Sequence, residues 1–278
     1  MLNEERSVFS AQEVVARRGI KNLLRENFAP AGAPLKQRFF DALPKLSKNR
    51  KADEMFRRFA SLLRDDAPHS RVLVIGGGVL GAGMQQLVDA PHIELIDSDV
   101  YFGPRTRLIC DATDLPFDDM SLDGVVIQAV LGNVMDPERA VAEIWRVLRP
   151  GGLVYVETAF MQQVYLGPYD LTRYSLVGLR RMFRWFDEVA SGTQGGPGMA
   201  AAWAYQYLLW SFTSAPRARA WLRLFARCTG FWLVALDRFL IDKPAALDAA
   251  SGHFFLGRRS DRPLSDRELV ATYRGGFQ

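Results

Sequence analysis

Cysteine is scarce in this chain of 278 residues: only Cys110 and Cys228 occur, which argues against a disulfide framework and fits a reducing compartment. Histidine is almost as rare, at His69, His92 and His253. With no Cys-x-x-Cys and no paired histidine motif, no metal site is expected. No apolar run reaches the roughly 20 residues that span a bilayer. Met199 to Phe212 comes nearest and falls short. The opening residues, MLNEERSVFSAQEVV, are polar and lack an apolar stretch, so no secretory leader is expected. Neither sign of charge dominates. Lysine plus arginine number 35 against 31 acids, and a net charge of +4 does not by itself imply nucleic acid.

What is present suits a globular domain with an ample core, at 49% hydrophobic and 24% charged residues. Ser10 and Glu13 have the spacing of a capping box, so a helix is expected from there. Pro30, Pro34 and Pro44 then break the chain into loops. Met55, Phe56, Phe59, Leu62 and Leu63 recur at helical spacing, and Pro68 closes that helix. From Arg71 strands and helices alternate. The run VLVI enters Gly76-x-Gly78-x-x-Gly81, a turn whose bare backbone can approach a nucleotide. Strands are expected at 92–96, 107–110, 124–130, 153–156 and 186–190, with a last one at 253–257. Asp136-Pro137-Glu138 reads as a helix start, and Ser175 caps a further helix.

This rhythm predicts an α/β fold: a doubly wound, Rossmann-like, mainly parallel sheet with N-terminal helices and a helical insert before the last strand. The expected divisions are 1–68 (an N-terminal helical lid), 69–191 (the core), 192–247 (the insert) and 248–278 (the last strand and a polar tail).

Taken together, VLVIGGG, the acid after strand two, CDATDLPF and SLDGVVIQAVLGNVMDPERAVAEIWRVLRPGGLVYVE resemble the class I S-adenosylmethionine-dependent methyltransferases, in particular the type 11 group. The likeness covers roughly residues 70–191. It implies S-adenosyl-L-methionine as cofactor, held by Gly76, Gly77, Gly78 and Gly81, by Asp97 with Ser98 and Asp99 at the ribose, by Asp111 and Ala112 at the adenine, and by Gln128. The chain departs from the group at three points. Val74 stands where an acid is frequent, the glycine spacing is nearer a dinucleotide fingerprint, and the usual Leu-Glu-His-Val reads Leu131-Gly132-Asn133-Val134. A nicotinamide dinucleotide is the rival cofactor, supported by that spacing and Asp97.

In open α/β sheets the reacting groups lie beyond the carboxyl ends of the strands. That points to Gln128 after strand four, to Glu157 after strand five and to the loop MQQVYLGPYDLTRY, residues 161–174. Members of the group linked to cell-surface glycans carry a similar stretch before a GLRR helix, which makes Tyr169, Asp170 and Arg173 substrate-side candidates. Asp170 or Glu157 is expected to orient or deprotonate the acceptor. The bland alternative is a solvated loop with Asp170 and Arg173 as a surface ion pair. The three histidines are read as ordinary strand-edge residues away from the carboxyl ends, and Cys110 as packing under the adenine loop.

The expected activity is methyl transfer to oxygen of a small, glycan-like or lipid-linked acceptor. Two alternatives stay open: RNA methylation, suggested by Lys36, Arg38, Lys45, Lys48, Arg50 and Lys51, and a non-catalytic scaffold that binds a protein partner. In the insert, Arg217, Arg219, Arg223 and Arg227 recur at helical steps among Trp221, Leu222, Leu224 and Phe225. A helical cap or dimer face is the plainer reading, and docking on an anionic membrane the sharper one. The expected location is the cytoplasm, with peripheral contact to the inner face of the membrane and homo-oligomerisation both open.

Overall fold

The computed structural model describes residues 45–277. The helix expected from Ser10, the prolines through Pro44, and Lys36 and Arg38 lie outside the described residues. Seven strands form one sheet in the order β3-β2-β1-β4-β5-β7-β6. They are β1 (Ser70–Ile75), β2 (Ile93–Asp99), β3 (Leu108–Ile109), β4 (Leu122–Gln128), β5 (Leu148–Ala159), β6 (Phe186–Gly195) and β7 (Gly252–Arg259). The first five pair in parallel, while β7 runs antiparallel between β5 and β6.

Both faces of the sheet are covered, and alternation along each strand sorts the side chains between them. From β1, Leu73 and Ile75 join Val125, Ile127, Val154 and Val156 under α3 (Pro137–Val147) and α4 (Leu176–Met182). Val72 and Val74 join Val126 and Tyr155 on the other face, against α1 (Ala52–Asp66). Phe56, Phe59 and Leu63 of α1 are wholly buried there, each stabilising the fold by about 2 kcal/mol. The expected lid is therefore corrected in its described part: α1 is one wall of the core, because its apolar stripe needs the sheet's second face. The capping signals act as read, with Asp136 accepting from the Arg139 N–H at 3.0 Å and Ser175 from the Gly178 N–H at 3.1 Å.

Three further expectations are corrected. The last strand does not stand apart from the core division, because β7 fills the middle of the sheet's second half. Strand β6 runs on through Thr193 to Gly195, past its expected end at residue 190. The insert begins only afterwards, with α5 (Pro197–Trp210) and α6 (Pro216–Leu240) packed as a hairpin and followed by the short α7 (Pro244–Asp248). The connections at the sheet's other end are unusually brief. The glycine turn leads to α2 (Gln85–Val88), a single turn of helix. Strands β2 and β3 are joined by Val100 to Arg107 with no helix between them, although parallel neighbours commonly need a dozen or more residues to cross over.

Candidate active site

The carboxyl ends of β1, β2, β4 and β5 meet at one edge of the sheet. Gly76 leaves β1 at φ +78°, a conformation that favours glycine, with Val130 directly against its missing side chain. A Cβ at Gly77 would stand 2.9 Å from Asp97 Oδ1, and one at Gly81 would collide with Gln128 Oε1. The glycines thus let the turn lie directly on polar side chains of β2 and β4. Asp99 ends β2 and accepts from the Gly78 N–H at 3.1 Å.

Asp97 is buried at 3% exposure. Its Oδ2 accepts from Arg105 at 2.9 Å, while Oδ1 is buried without a partner. Burial pushes the Asp97 carboxyl above its usual range, opposed by Arg105 and Arg107. Burial raises Asp99 too, against the backbone N–H groups of Gly78, Tyr101 and Val100. Arg105 belongs to the brief β2–β3 connection, whose Gly103 backbone rests on Gly78 and whose Arg105 N–H reaches the Gly78 carbonyl at 3.3 Å. Ser98 is withdrawn from the edge. Its hydroxyl donates to the Val74 carbonyl at 3.1 Å, and its own carbonyl takes the Gly77 N–H at 2.8 Å. Asp111 is exposed and closes a local turn by accepting from the Thr113 N–H and hydroxyl, while Ala112 is buried in the core beneath it. Burial pushes the neighbouring Cys110 thiol up to about 11, as suits a packing residue rather than a nucleophile.

Glu157, at the end of β5, is buried and saturated with donors. The Asn49 amide reaches both its oxygens, at 2.8 and 2.9 Å; Gln128 Nε2 reaches Oε2 at 2.9 Å and the Tyr155 hydroxyl reaches Oε1 at 2.5 Å. Burial raises its pKa, and these three donors oppose the rise. Gln128 also donates to the Ala82 carbonyl at 3.0 Å and keeps a buried, unpartnered Oε1. Asn49, in turn, accepts from the Lys51 and Ala52 N–H groups at the start of α1. One network therefore ties α1, β4, β5 and the glycine turn together. Asn49 had no sequence motif to mark it.

The 161–174 loop is held on the same edge. Asp170 pairs with Arg173 through both oxygens and also accepts from the Tyr165 N–H at 2.9 Å. Burial works to raise the Asp170 pKa, but Arg173 and the Tyr165 and Leu166 N–H groups outweigh it and hold the carboxyl below its usual range. The pair is not a solvated surface bridge, because the Asp170 side chain is fully covered. Arg173 further donates to the Gln162 carbonyl at 3.1 Å. Tyr169 is exposed beside Tyr101, close enough for the two phenols to interact electrostatically. Leu171 and Thr172 N–H groups both bond the Gly132 carbonyl at 3.0 Å, and a Cβ at Gly132 would stand 2.7 Å from the Thr172 carbonyl. The departure from Leu-Glu-His-Val thus has a physical reason: loop backbone occupies that space. Ala129 follows β4 at φ +56°, a strained region for alanine, and its carbonyl accepts from Asn133 at 3.1 Å.

His253 is where the histidine reading is corrected. Because β7 is antiparallel, its first residues lie at the carboxyl ends of the parallel strands, with His253 paired in register to Thr158. It is wholly buried and stacked on Phe160 at 5.2 Å. His69 precedes β1 and His92 precedes β2, at the opposite end as expected.

A family profile described as "Methyltransferase domain" matches residues 94–156. A demethylmenaquinone methyltransferase of Clavibacter sepedonicus is 37% identical over 79 residues, covering 28% of this chain and 27% of the relative. A ubiquinone/menaquinone biosynthesis C-methyltransferase of Geotalea daltonii is 27% identical over 121 residues, covering 37% and 52%. Residues 94–156 thus carry the pattern of the methyltransferase-domain group. The cofactor of the group is S-adenosyl-L-methionine. In fold, the chain is similar to a Galdieria sulphuraria protein described as a sarcosine dimethylglycine methyltransferase, with a TM-score of 0.50, 14% identity, and coverage of 76% of this chain and 85% of that one. The matched part spans about half or less of the length of the curated relatives. The sheet itself speaks against the nicotinamide rival: dinucleotide folds run 3-2-1-4-5-6, whereas this chain places antiparallel β7 between β5 and β6.

Proposed function

We propose that this chain transfers the methyl group of S-adenosylmethionine to a hydroxylated, apolar ring of the quinol class. The observation that carries the reading is the glycine turn laid against two β2 carboxylates and Gln128 in a sheet with antiparallel β7. The residues fit the cofactor there. Asp97 Oδ1 and Gln128 Oε1, against which Gly77 and Gly81 lie, are buried acceptors without partners, suited to hydroxyls and an ammonium. Asp97 and Asp99 would take the ribose, Gly76 to Gly81 and Gln128 the amino-acid end, and Asp111 with Ala112 would back the adenine. When bound, the cofactor supplies an electrophilic methyl group on sulfur.

The chain's own part is alignment and exclusion of water. Glu157 already meets four hydrogen bonds and Asp170 is clamped by Arg173, so both suit positioning better than proton removal. A sugar hydroxyl would need a base, whereas an acidic ring hydroxyl brings its own negative charge. The rim agrees: Val79, Leu80, Tyr101, Phe102, Val164 and Tyr169 are exposed on the loops after β1, β2 and β5, apolar where a glycan would want donors and acceptors. The names of the two relatives, both of quinone methylation, support a ring carbon as the methylated atom in place of oxygen. RNA is less well served. Arg50 is spent on the Val234 carbonyl at 3.0 Å, and Lys51 on Asp242 at 3.0 Å.

Calorimetric titration with S-adenosylmethionine, S-adenosylhomocysteine and NAD tests the cofactor. The first two should bind, about tenfold more weakly after Asp97→Ala. Methyl transfer to a soluble hydroquinone should then exceed transfer to a sugar. The Arg105 bridge and the connection lying across Gly78 favour one second reading, a scaffold without a cofactor; silence with all three ligands would establish it.

A further inference from the structure

The α5–α6 hairpin leaves one long face of α6 bare. Its inner side, Ala226, Gly230 and Val234, is buried in the fold, with Gly230 lying against Tyr205 of α5. On the outer side Trp221, Phe225, Cys228, Trp232, Leu236 and Phe239 follow one another at steps of three and four, which places them on a single stripe about 27 Å long. All six are exposed, Trp221 at 73% and Phe239 at 71%, and Phe212 at the hairpin tip reaches 79%. Large aromatic side chains in such an unbroken row are costly to leave in water.

Charge selects the occupant. From Pro197 to Leu240 the chain holds five arginines, Arg217, Arg219, Arg223, Arg227 and Arg238, and one acid. That acid, Asp237, is buried and accepts from the Gly198 and Met199 N–H groups at 2.7 and 2.9 Å, capping α5. The hairpin therefore shows solvent arginine and aromatic groups with no exposed acid. Arg217 borders the stripe, while Arg219, Arg223, Arg227 and Arg238 fall on the polar side of α6, the arrangement of a helix that lies in a membrane interface. An anionic lipid surface offers an apolar layer for the rings and phosphates for the arginines. Among the described residues no helix is long and apolar enough to cross a membrane.

We propose that the α5–α6 hairpin lies along an anionic lipid surface, with the Trp221–Phe239 stripe in the headgroup layer. The Tyr207 hydroxyl of α5 donates to the Val164 carbonyl, so the same hairpin braces the 161–174 loop. Docking would bring the apolar rim to the layer in which a lipid-linked ring dissolves. That consequence rests on the proposed function; the lipid contact itself does not.

Flotation of the full chain with vesicles of phosphatidylglycerol and phosphatidylcholine in equal parts, and of phosphatidylcholine alone, tests this. The protein should float with the anionic vesicles and less as salt rises. Each of Trp221→Ser, Trp232→Ser and Phe239→Ser should weaken the partition about tenfold, and Arg217→Gln about fivefold at low salt. A polarity-sensitive dye attached at Cys228, selective because the Cys110 thiol is half-buried and pushed up to about 11, should shift to the blue on anionic vesicles. Absence of flotation, or flotation untouched by the triple serine variant, overturns the proposal. So does a dimer in size-exclusion chromatography that the triple variant splits, which would assign the stripe to a second copy. S-adenosylmethionine binding unchanged in the triple variant keeps this result separate from the cofactor reading.

Discussion

Replacing His253 with phenylalanine should make the folded protein less sensitive to acid. The imidazole is wholly buried, stacked on Phe160, and neither ring nitrogen has a hydrogen-bond partner. Burial lowers its pKa from 6.5 to about 4, only partly opposed by the Gly192 backbone and Asp248. A folded-state pKa below the unfolded value means that the unfolded chain takes up the proton first. The stability His253 contributes is complete above 6.5 and is lost as the pH falls from there toward 4. The span corresponds to about 3 kcal/mol. Phenylalanine keeps the stacking and has nothing to protonate, and an apolar ring leaves no unpaired nitrogen behind. Urea unfolding of both proteins from about pH 7 to about pH 4 measures the effect, because titrations common to the two cancel in the difference. The wild type should lose about 3 kcal/mol more than the variant over that range. Parallel curves would refute the argument, showing that the imidazole is solvated or paired in solution.

Three other outcomes are expected. Glu157→Gln turns one acceptor oxygen into a donor facing Asn49, Gln128 or Tyr155, and should cost about 2 kcal/mol by urea unfolding; a loss under about 0.5 kcal/mol would mean that the network is not formed. Gly132→Glu restores the acid common in the group but sets a Cβ 2.7 Å from the Thr172 carbonyl. It should lift the 161–174 loop, seen as faster proteolysis there with little change in S-adenosylmethionine affinity. Asp237→Ala strips two buried N–H groups of their acceptor and should cost about 2–3 kcal/mol, with hydrogen exchange rising first in α5 and α6.

Much of the site was legible because its signals are local. Gly76 to Gly81 announces a backbone that must touch its neighbours, and Asp136 and Ser175 announce helix starts by capping an N–H three residues on. The corrections share another cause. Ser98 points inward because β2 runs three residues beyond the expected strand and its alternation buries that hydroxyl. Asp170 and Arg173 were legible as a pair, yet whether they are solvated or clamped depends on the loop that buries them.

Composition, periodicity and capping alone determined the alternation of strands and helices, the glycine turn, the apolar faces of α1 and α3, and the amphipathic oddity of the insert. Each is written within about one helical turn of sequence, the range over which backbone preference and side-chain spacing act. Only the tertiary structure decided the direction of β7, the partners of Glu157, the cap that Asp237 provides 39 residues from Gly198, and the need for glycine at position 132. Those depend on which distant segments pack together. That choice is made by the burial of whole faces, and no short window of the chain contains it.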